Sequence, residues 1–368
     1  MATVNAAAPA ATRSASTLIS PQNIRLRQHA VLSIPFGSSQ TANLLTGFLV
    51  RHLFARLQFT LTSTSTTALS AANLTGADGW SAIDNAVITI NGSNQIRTLT
   101  GRQLYWLNVL TNGKPPKWGF TFGGTSGAYT ATFDGTILIP FSIEDGIHPL
   151  DTCLDAQLIP ANAFTLQVNM NSAANMLVNA GTVTAGNATI TVSALESYAA
   201  AGGFTPPLSV LYPTFQIPGT SAGAVTKQQL QLPSAVNNMS YKGIILNVQN
   251  TSGVDSPGVL TRFRAFSGTT YLMDIDAQSY QNQYNMRKGL DPANWYQGGN
   301  PLQGTSTSMD NIDAWYYFDF APDGYLTEAV NMANVGSFFI NVDTNAASEI
   351  TVIPIQLFAN AVSVAAAA

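Results

Sequence analysis

Charge is what this sequence has least of: Asp, Glu, Lys and Arg together make up 9% of its 368 residues, against about 25% in an ordinary soluble domain. Apolar residues stand at the usual level, 46%, so the polar surface has to be built from Ser, Thr, Asn, Gln and Gly. Those residues suit turns and the outer faces of strands better than exposed helices, which argues against a helical bundle. Cysteine occurs once, at Cys153. That excludes an intramolecular disulfide framework and leaves stability to packing and assembly. The longest apolar stretches, such as LLTGFLV at 44–50, fall far short of the ~20 residues that span a bilayer. The opening MATVNAAAPAATRSASTL lacks a charged segment followed by a continuous apolar core, so no secretory signal is read and synthesis in a cytoplasm is expected.

Acidic side chains are absent before Asp78, whereas Arg13, Arg25, Arg27, Arg51 and Arg56 all precede it. Residues 1–77 therefore carry +5 and the rest of the chain −9. Either this basic end meets an anionic partner, or five arginines are scattered by chance. No run of Lys and Arg occurs anywhere, so sequence-specific nucleic-acid binding has no support.

What is plentiful is apolar and aromatic surface: 18 Phe, 12 Tyr and 5 Trp supply enough area to offset chain entropy. Residues 1–20 are Ala/Ser/Thr-rich and read as an arm, with a short helix predicted from Pro21 to His29. Strand patterns follow at 30–36, 45–62, 85–92, 136–143, 164–170 and 189–196, closed by Gly, Asn, Pro or Ser clusters. One helix interrupts them over 100–113, where Leu104, Leu107 and Leu110 recur at helical spacing and Gly113 suits a stop. The segment AAAGGFTPP at 199–207 marks a boundary. Strands then resume at 208–217, 241–250, 259–266, 271–278, 314–320, 337–343 and 349–358. Phe164, Leu166, Val168, Asn171 and Ala173 are echoed 174 residues later by Phe338, Ile340, Val342, Asn345 and Ala347, and each copy leads into an Ile-Thr-Val strand. A duplicated β domain shows such a repeat. The expectation is an all-β protein of two tandem eight-stranded jelly rolls, with short helices in loops and an N-terminal arm. The expected division is an arm at 1–28, a first roll at 29–200, a linker at 201–207, a second roll at 208–360 and a tail at 361–368.

Candidate chemistry is sparse. His29, His52 and His148 have no metal-ligand spacing, and His52 reads as an interface or surface residue. Cys153 lies between Asp151 and Asp155, which raise rather than lower a thiol pKa, so it reads as a small buried side chain rather than a nucleophile. Glu144 with Asp145, and Asp274 with Asp276, are weighed as a glycosidase pair or a calcium site; the second pair falls on one face of a strand, which a solvated face explains more simply. Asp310, Asp313, Asp319 and Asp323 do not fit a calcium-loop spacing. The glycine-rich run at 119–128 lacks the Lys-Ser/Thr of a phosphate loop and reads as a turn. No catalytic set, metal site or cofactor is assigned, and no enzyme is expected. A rival reading is a carbohydrate-binding or adhesive β-sandwich, with Tyr271, Tyr280, Tyr284, Trp295 and Tyr296 as stacking rings.

Several segments in order carry a family resemblance. TANLLTGFLVRHLFARLQFTLT (41–62) is similar to a first-domain strand with a Gly-Phe-Leu-Val core. Pro140-Phe141 followed by Glu144-Asp145 is similar to a late first-domain region, and 193–215 to a crossover between domains. Arg287-Lys288-Gly289-Leu290-Asp291-Pro292 followed by Trp295 resembles an Arg-Lys-Leu-Asp-Pro-x-x-Trp segment with Gly289 inserted, and Trp315-Tyr316-Tyr317 and Asn334-Val335-Gly336 follow in sequence. The chain thus resembles tectivirus-type double jelly-roll major capsid proteins, related in fold to the adenovirus hexon. The resemblance implies a homotrimer of hexagonal outline that tiles the icosahedral shell of a bacteriophage virion over an internal membrane. Neighbouring capsomers, penton and minor capsid proteins would be its partners, and the host cytoplasm its place before assembly. On this reading Arg13, Arg25 and Arg27 face anionic lipid headgroups, and Leu290, Asp291, Pro292 and Trp295 form a loop anchor for the second roll and the trimer, with Trp295 packed.

Overall fold

The computed structural model describes residues 24–70, 73–74, 79–113, 116, 118–143, 149–197, 206–217, 225–290, 312–333 and 335–359, with 225–227 described in backbone only. The first half contributes β1 (Ile24–Pro35), β2 (Ser39–Asn43), β3 (Leu49–Ser63), β4 (Ile83–Ile90), β5 (Asn94–Leu99), α1 (Gly101–Asn112), β6 (Trp118–Thr125), β7 (Ala128–Pro140), β8 (Leu154–Asp155), β9 (Phe164–Met170), β10 (Val183–Ala185) and β11 (Asn187–Ser197). The second contributes β12 (Leu208–Leu211), β13 (Phe215–Ile217), β14 (Val225–Leu232), β15 (Met239–Gln249), β16 (Leu260–Ser267), β17 (Thr270–Asp276), α2 (Ala277–Lys288), β18 (Trp315–Asp319), β19 (Val330–Asn331), β20 (Phe338–Thr344) and β21 (Glu349–Ala359).

Both halves solve the same packing problem in the same way. In the first, one sheet runs β1-β11-β3-β7-β6 and the facing sheet β2-β9-β4-β5. In the second, β12-β21-β15-β18 faces β14-β20-β16-β17, with β13 continuing the β12 edge along β21. Each is a Greek-key sandwich of two four-stranded layers, which defines a jelly roll; β6, β8, β10 and β19 are additions. Alternation explains the layers. Along β9 every second side chain (Phe164, Leu166, Val168, Met170) is buried, and along β11 Ala188, Ile190, Val192 and Ala194 are buried between half-exposed Thr and Ser. The echoed segments around Phe164 and Phe338 are β9 and β20, which hold equivalent places in their sheets.

The two helices are equivalent too. Each has twelve residues, follows an edge strand of the smaller sheet, and ends on a left-handed glycine, Gly113 or Gly289. Helix α1 stands where the leucine spacing predicts it. Thr100 caps its start and Gln103 closes a capping box, a device that satisfies two otherwise orphan backbone donors. Helix α2 departs from expectation: the strand predicted to Gln278 ends at Asp276, whose carboxylate accepts from the Ser279 N–H at 2.8 Å. Its sequence AQSYQNQYNMRK buries only Ala277, Gln281 and Tyr284, too few apolar residues to show a helical stripe.

The structure corrects three more expectations. The helix predicted over Pro21–His29 is instead the start of β1 from Ile24, so the strand begins inside the segment assigned to the arm. Most of the glycine-rich run at 119–128 lies within strand β6, the turn being confined to Ser126 and Gly127. His52, expected at a surface or interface, is buried within the subunit. Residues 1–23, 201–205 and 361–368, which hold nearly all of the expected arm, linker and tail, lie outside the described residues; β11 ends at Ser197 and β12 opens at Leu208.

Candidate functional site: the joint between the rolls and the basic strand

Strands β15, β18 and β21 are buried along almost their whole length, the pattern of a sheet covered on both faces. Ile244, Leu246, Tyr316, Phe318, Ile350 and Val352 enter the core of the second roll. Their neighbours Ile245, Trp315, Tyr317, Ile353, Ile355 and Leu357 belong to the core of the first. The larger sheet of the second roll is therefore shared, and the two rolls form one packed body.

Helix α1 fills this joint. Trp106 stacks on Trp315 with ring centroids 5.8 Å apart, and the Tyr284 hydroxyl on α2 donates to the Leu110 carbonyl at 2.6 Å. Asn108 presents a strand-like edge to β7, accepting from the Leu138 N–H at 3.0 Å and donating to its carbonyl at 2.6 Å. Charges are few here but matched. Asp255, with no exposed side-chain surface, receives Arg102 from α1 at 2.5 Å, the Trp315 indole N–H at 3.2 Å and the Asn247 amide at 2.9 Å. Lys242 on β15 is held by both carboxylate oxygens of Asp319 on β18, at 2.9 and 3.0 Å.

Arg97 on β5 is the unusual member. It is 3% exposed and donates to the carbonyls of Ile96, Pro140 and Val210, the last on β12 at 2.6 Å. Tyr212 and Phe141 cover its guanidinium face at 4.5 and 5.4 Å. Burial pushes its pKa down to about 10, still charged at neutral pH. One cation thus ties the first roll to the first strand of the second.

A second cluster sits on β1. Arg25 and Arg27, expected to face lipid, both point at Glu196 on β11, with Nε and Nη2 contacts of 2.8 Å respectively. His29 Nε2 reaches the same carboxylate at 2.5 Å. The Phe48 ring lies under both guanidinium groups at 4.6 and 4.2 Å. Burial raises the Glu196 pKa, but the hydrogen bonds from Arg25, His29 and Arg27 outweigh it and hold the carboxyl below its ordinary value.

Of the expected anchor residues only Leu290 is described; Arg13, Asp291, Pro292 and Trp295 lie outside the described residues. Leu290 is 1% exposed and joins the core of the first roll. Its N–H bonds the Asn285 carbonyl, and that of Gly289 the Met286 carbonyl, which is the Schellman arrangement. Gly289, the residue by which this segment departs from the family pattern, is the left-handed position that the arrangement requires.

Of the remaining candidates, Tyr296 and Asp310 lie outside the described residues. Asp274 is bound by Arg262 at 2.6 Å and Asp276 caps α2; Glu144, Asp145 and His148 lie outside the described residues. Cys153 is buried, its thiol pushed up by burial and then by Asp155, and it borders an apolar cavity of about 220 Å³ between the rolls. Among the described residues no three His, Cys, Asp or Glu side chains gather as a metal site, and no helix is long and apolar enough to cross a membrane. The sequence reading did not single out Arg97, Arg102, Glu196, Lys242 or Asp255. Their one signal is that each is a lone charge in a chain that carries few.

The two tandem sandwiches with a shared sheet define a double jelly roll. No protein-family model matches the sequence, and no curated protein matches it. Among solved structures, the STIV major capsid protein crystal structure is 12% identical with a TM-score of 0.67, covering 94% of this chain and 99% of that one. A structure of Sulfolobus Turreted Icosahedral Virus gives 9% identity and a TM-score of 0.68, covering 94% of both chains. The major capsid protein of bacteriophage PM2 gives 12% and 0.60, covering 92% of this chain and 98% of that one. The chain has the double jelly-roll fold of these capsid proteins.

Proposed function

We propose that this chain is a viral major capsid protein that trimerises into a capsomer of hexagonal outline and tiles an icosahedral shell over an internal lipid membrane. The observation that carries the reading is the match over 94% and 92% of this chain to capsid proteins that are themselves covered to 99% and 98%. The physics supports it. A shared sheet and a helix stacked in the joint make one rigid block, as a shell unit needs. A surface poor in charge can be buried against neighbouring capsomers, penton and minor capsid proteins with little ionic desolvation, and three-fold closure of heterologous contacts leaves no open filament.

The basic N-terminal region faces anionic headgroups on this reading. Arg25 and Arg27 together with Glu196 contribute one net positive charge there, to which Arg13 adds another. Reversing the three arginines is expected to weaken binding to anionic liposomes; unchanged binding refutes that part. The Leu290–Trp295 segment serves as the anchor, and Trp295→Ala is expected to lower trimer stability.

Native mass measurement with negative-stain imaging of the purified protein tests the whole. Three-fold particles of three times the subunit mass support the capsid reading, and a stable monomer overturns it. The carbohydrate-binding alternative draws little from the geometry: Tyr271 is exposed, but Tyr284 is buried and bonded to Leu110.

A further inference from the structure

His29 is the extra residue of a bulge in β1, between Gln28 and Ala30, and its imidazole has no exposed side-chain surface. Its two ring nitrogens do different work. Nδ1 accepts from the Leu45 backbone N–H at 3.2 Å, so the proton sits on Nε2, which donates to Glu196 at 2.5 Å. One neutral ring therefore links three elements: β1, the end of β11, and the connection from β2 to β3 that carries Leu45 and Phe48.

Among the described residues, the charged groups facing the ring are Glu196 from β11 and Arg25 and Arg27 from its own strand. The 44–48 connection, LLTGF, brings no charge. β3 sets Val50 opposite Glu196, with Arg51 next along the chain and His52 across from Leu195. A proton on Nδ1 would turn the acceptor that the Leu45 N–H uses into a second donor aimed at it, and would place a third cation beside one carboxylate.

We propose that His29 is a proton-operated latch: neutral, it fastens the 44–48 connection to β1 and Glu196, and protonated, it releases Leu45 and loosens the start of β1. Burial holds the imidazole below its ordinary value near 6.5, against the pull of Glu196. The sign of the linkage follows. The unfolded or opened form takes up the proton first, so the latch is closed above pH 6.5 and weakens as pH falls below it. Glu196, held below its ordinary carboxyl value, stays charged through this window. The latch does not depend on the capsid reading.

Hydrogen exchange of the full-length protein at pH 7 and pH 5, corrected for intrinsic rates, tests the idea. Protection of the Leu45 amide and of β1 before Ala30 is expected to fall about tenfold in the wild type while β15 and β21 stay protected. His29→Gln keeps a donor for Glu196 and an acceptor for Leu45 without titrating, and is expected to show no such fall. His29→Lys, charged at both pH values, is expected to be loose already at pH 7. Equal pH dependence in wild type and His29→Gln, or none in the wild type, overturns the proposal. In the wild type alone, the Leu45 amide and the His29 ring are expected to titrate with one midpoint by NMR, and separate midpoints refute the latch equally.

Discussion

The Lys242–Asp319 pair offers a measurable test of what holds the joint. Both side chains are almost wholly buried, at 1% and 2% exposure, on paired strands where Gly243 lies opposite Asp319. The ammonium has the two carboxylate oxygens and, at 3.3 Å, the Tyr317 hydroxyl, while Asp319 also accepts from the Ala321 N–H at 3.0 Å. Asp319→Asn keeps that last bond but leaves a buried cation without its counter-charge, a change that costs about 3–5 kcal/mol. Lys242→Met leaves the carboxylate unpaired at a similar cost. The double variant removes both charges, fills the Lys volume with an apolar chain and retains an acceptor for Ala321, so its cost is expected to stay below about 1.5 kcal/mol. Urea unfolding of the four proteins gives the coupling energy, expected to exceed about 4 kcal/mol. At roughly 2 °C per kcal/mol, each single variant also melts several degrees lower. Because the pair is shielded from solvent, the coupling is expected to persist at high salt. A coupling below about 0.5 kcal/mol would refute the reasoning, since that is the value of an exposed pair.

The equivalent helix ends give an internal comparison. An added Cβ at Gly289 meets nothing within 4 Å, whereas at Gly113 it meets the Lys288 carbonyl oxygen at 2.6 Å. Gly289→Ala is expected to cost only the left-handed backbone, about 1–2 kcal/mol, and Gly113→Ala at least about 1 kcal/mol more through the clash; equal melting shifts would contradict this. Trp106→Ala removes a fully buried ring stacked on Trp315 and is expected to cost about 3–5 kcal/mol by denaturant unfolding. Glu196 predicts acid sensitivity: its carboxyl is held below its ordinary 4.5, so its contribution is present above pH 4.5 and lost as pH falls through the folded value. Stability measured below pH 4.5 is expected to fall less steeply in Glu196→Gln than in the wild type.

Much of the architecture can be read before any coordinates exist. Period-two burial marks β9 and β11, the Phe164 and Phe338 segments announce two copies of one unit, and three spaced leucines and Gly113 mark the body and the stop of α1. Local signals suffice there because each lies within one element. Helix α2 escapes because its one buried face is made of Ala277, Gln281 and Tyr284, and its cap, Asp276, doubles as the end of a strand. The first turns of β1 escape because bulging at His29 shifts the register and leaves Ile24 and Leu26 exposed while Arg25 and Arg27 face Glu196.

Composition and periodicity by themselves settled that this chain is a β protein of two like halves, poor in charge and free of disulfide support, because each residue's preference for strand, turn or cap is a property of its immediate neighbourhood. Only the tertiary structure decided which of the few charges meet. Arg25 finds Glu196 across 171 positions, Lys242 finds Asp319 across 77, and Arg97 finds carbonyls in both rolls with no carboxylate among them. Such pairings follow from strand order and from the sharing of one sheet between two cores, and no local pattern encodes either, since both depend on how distant segments exclude water together.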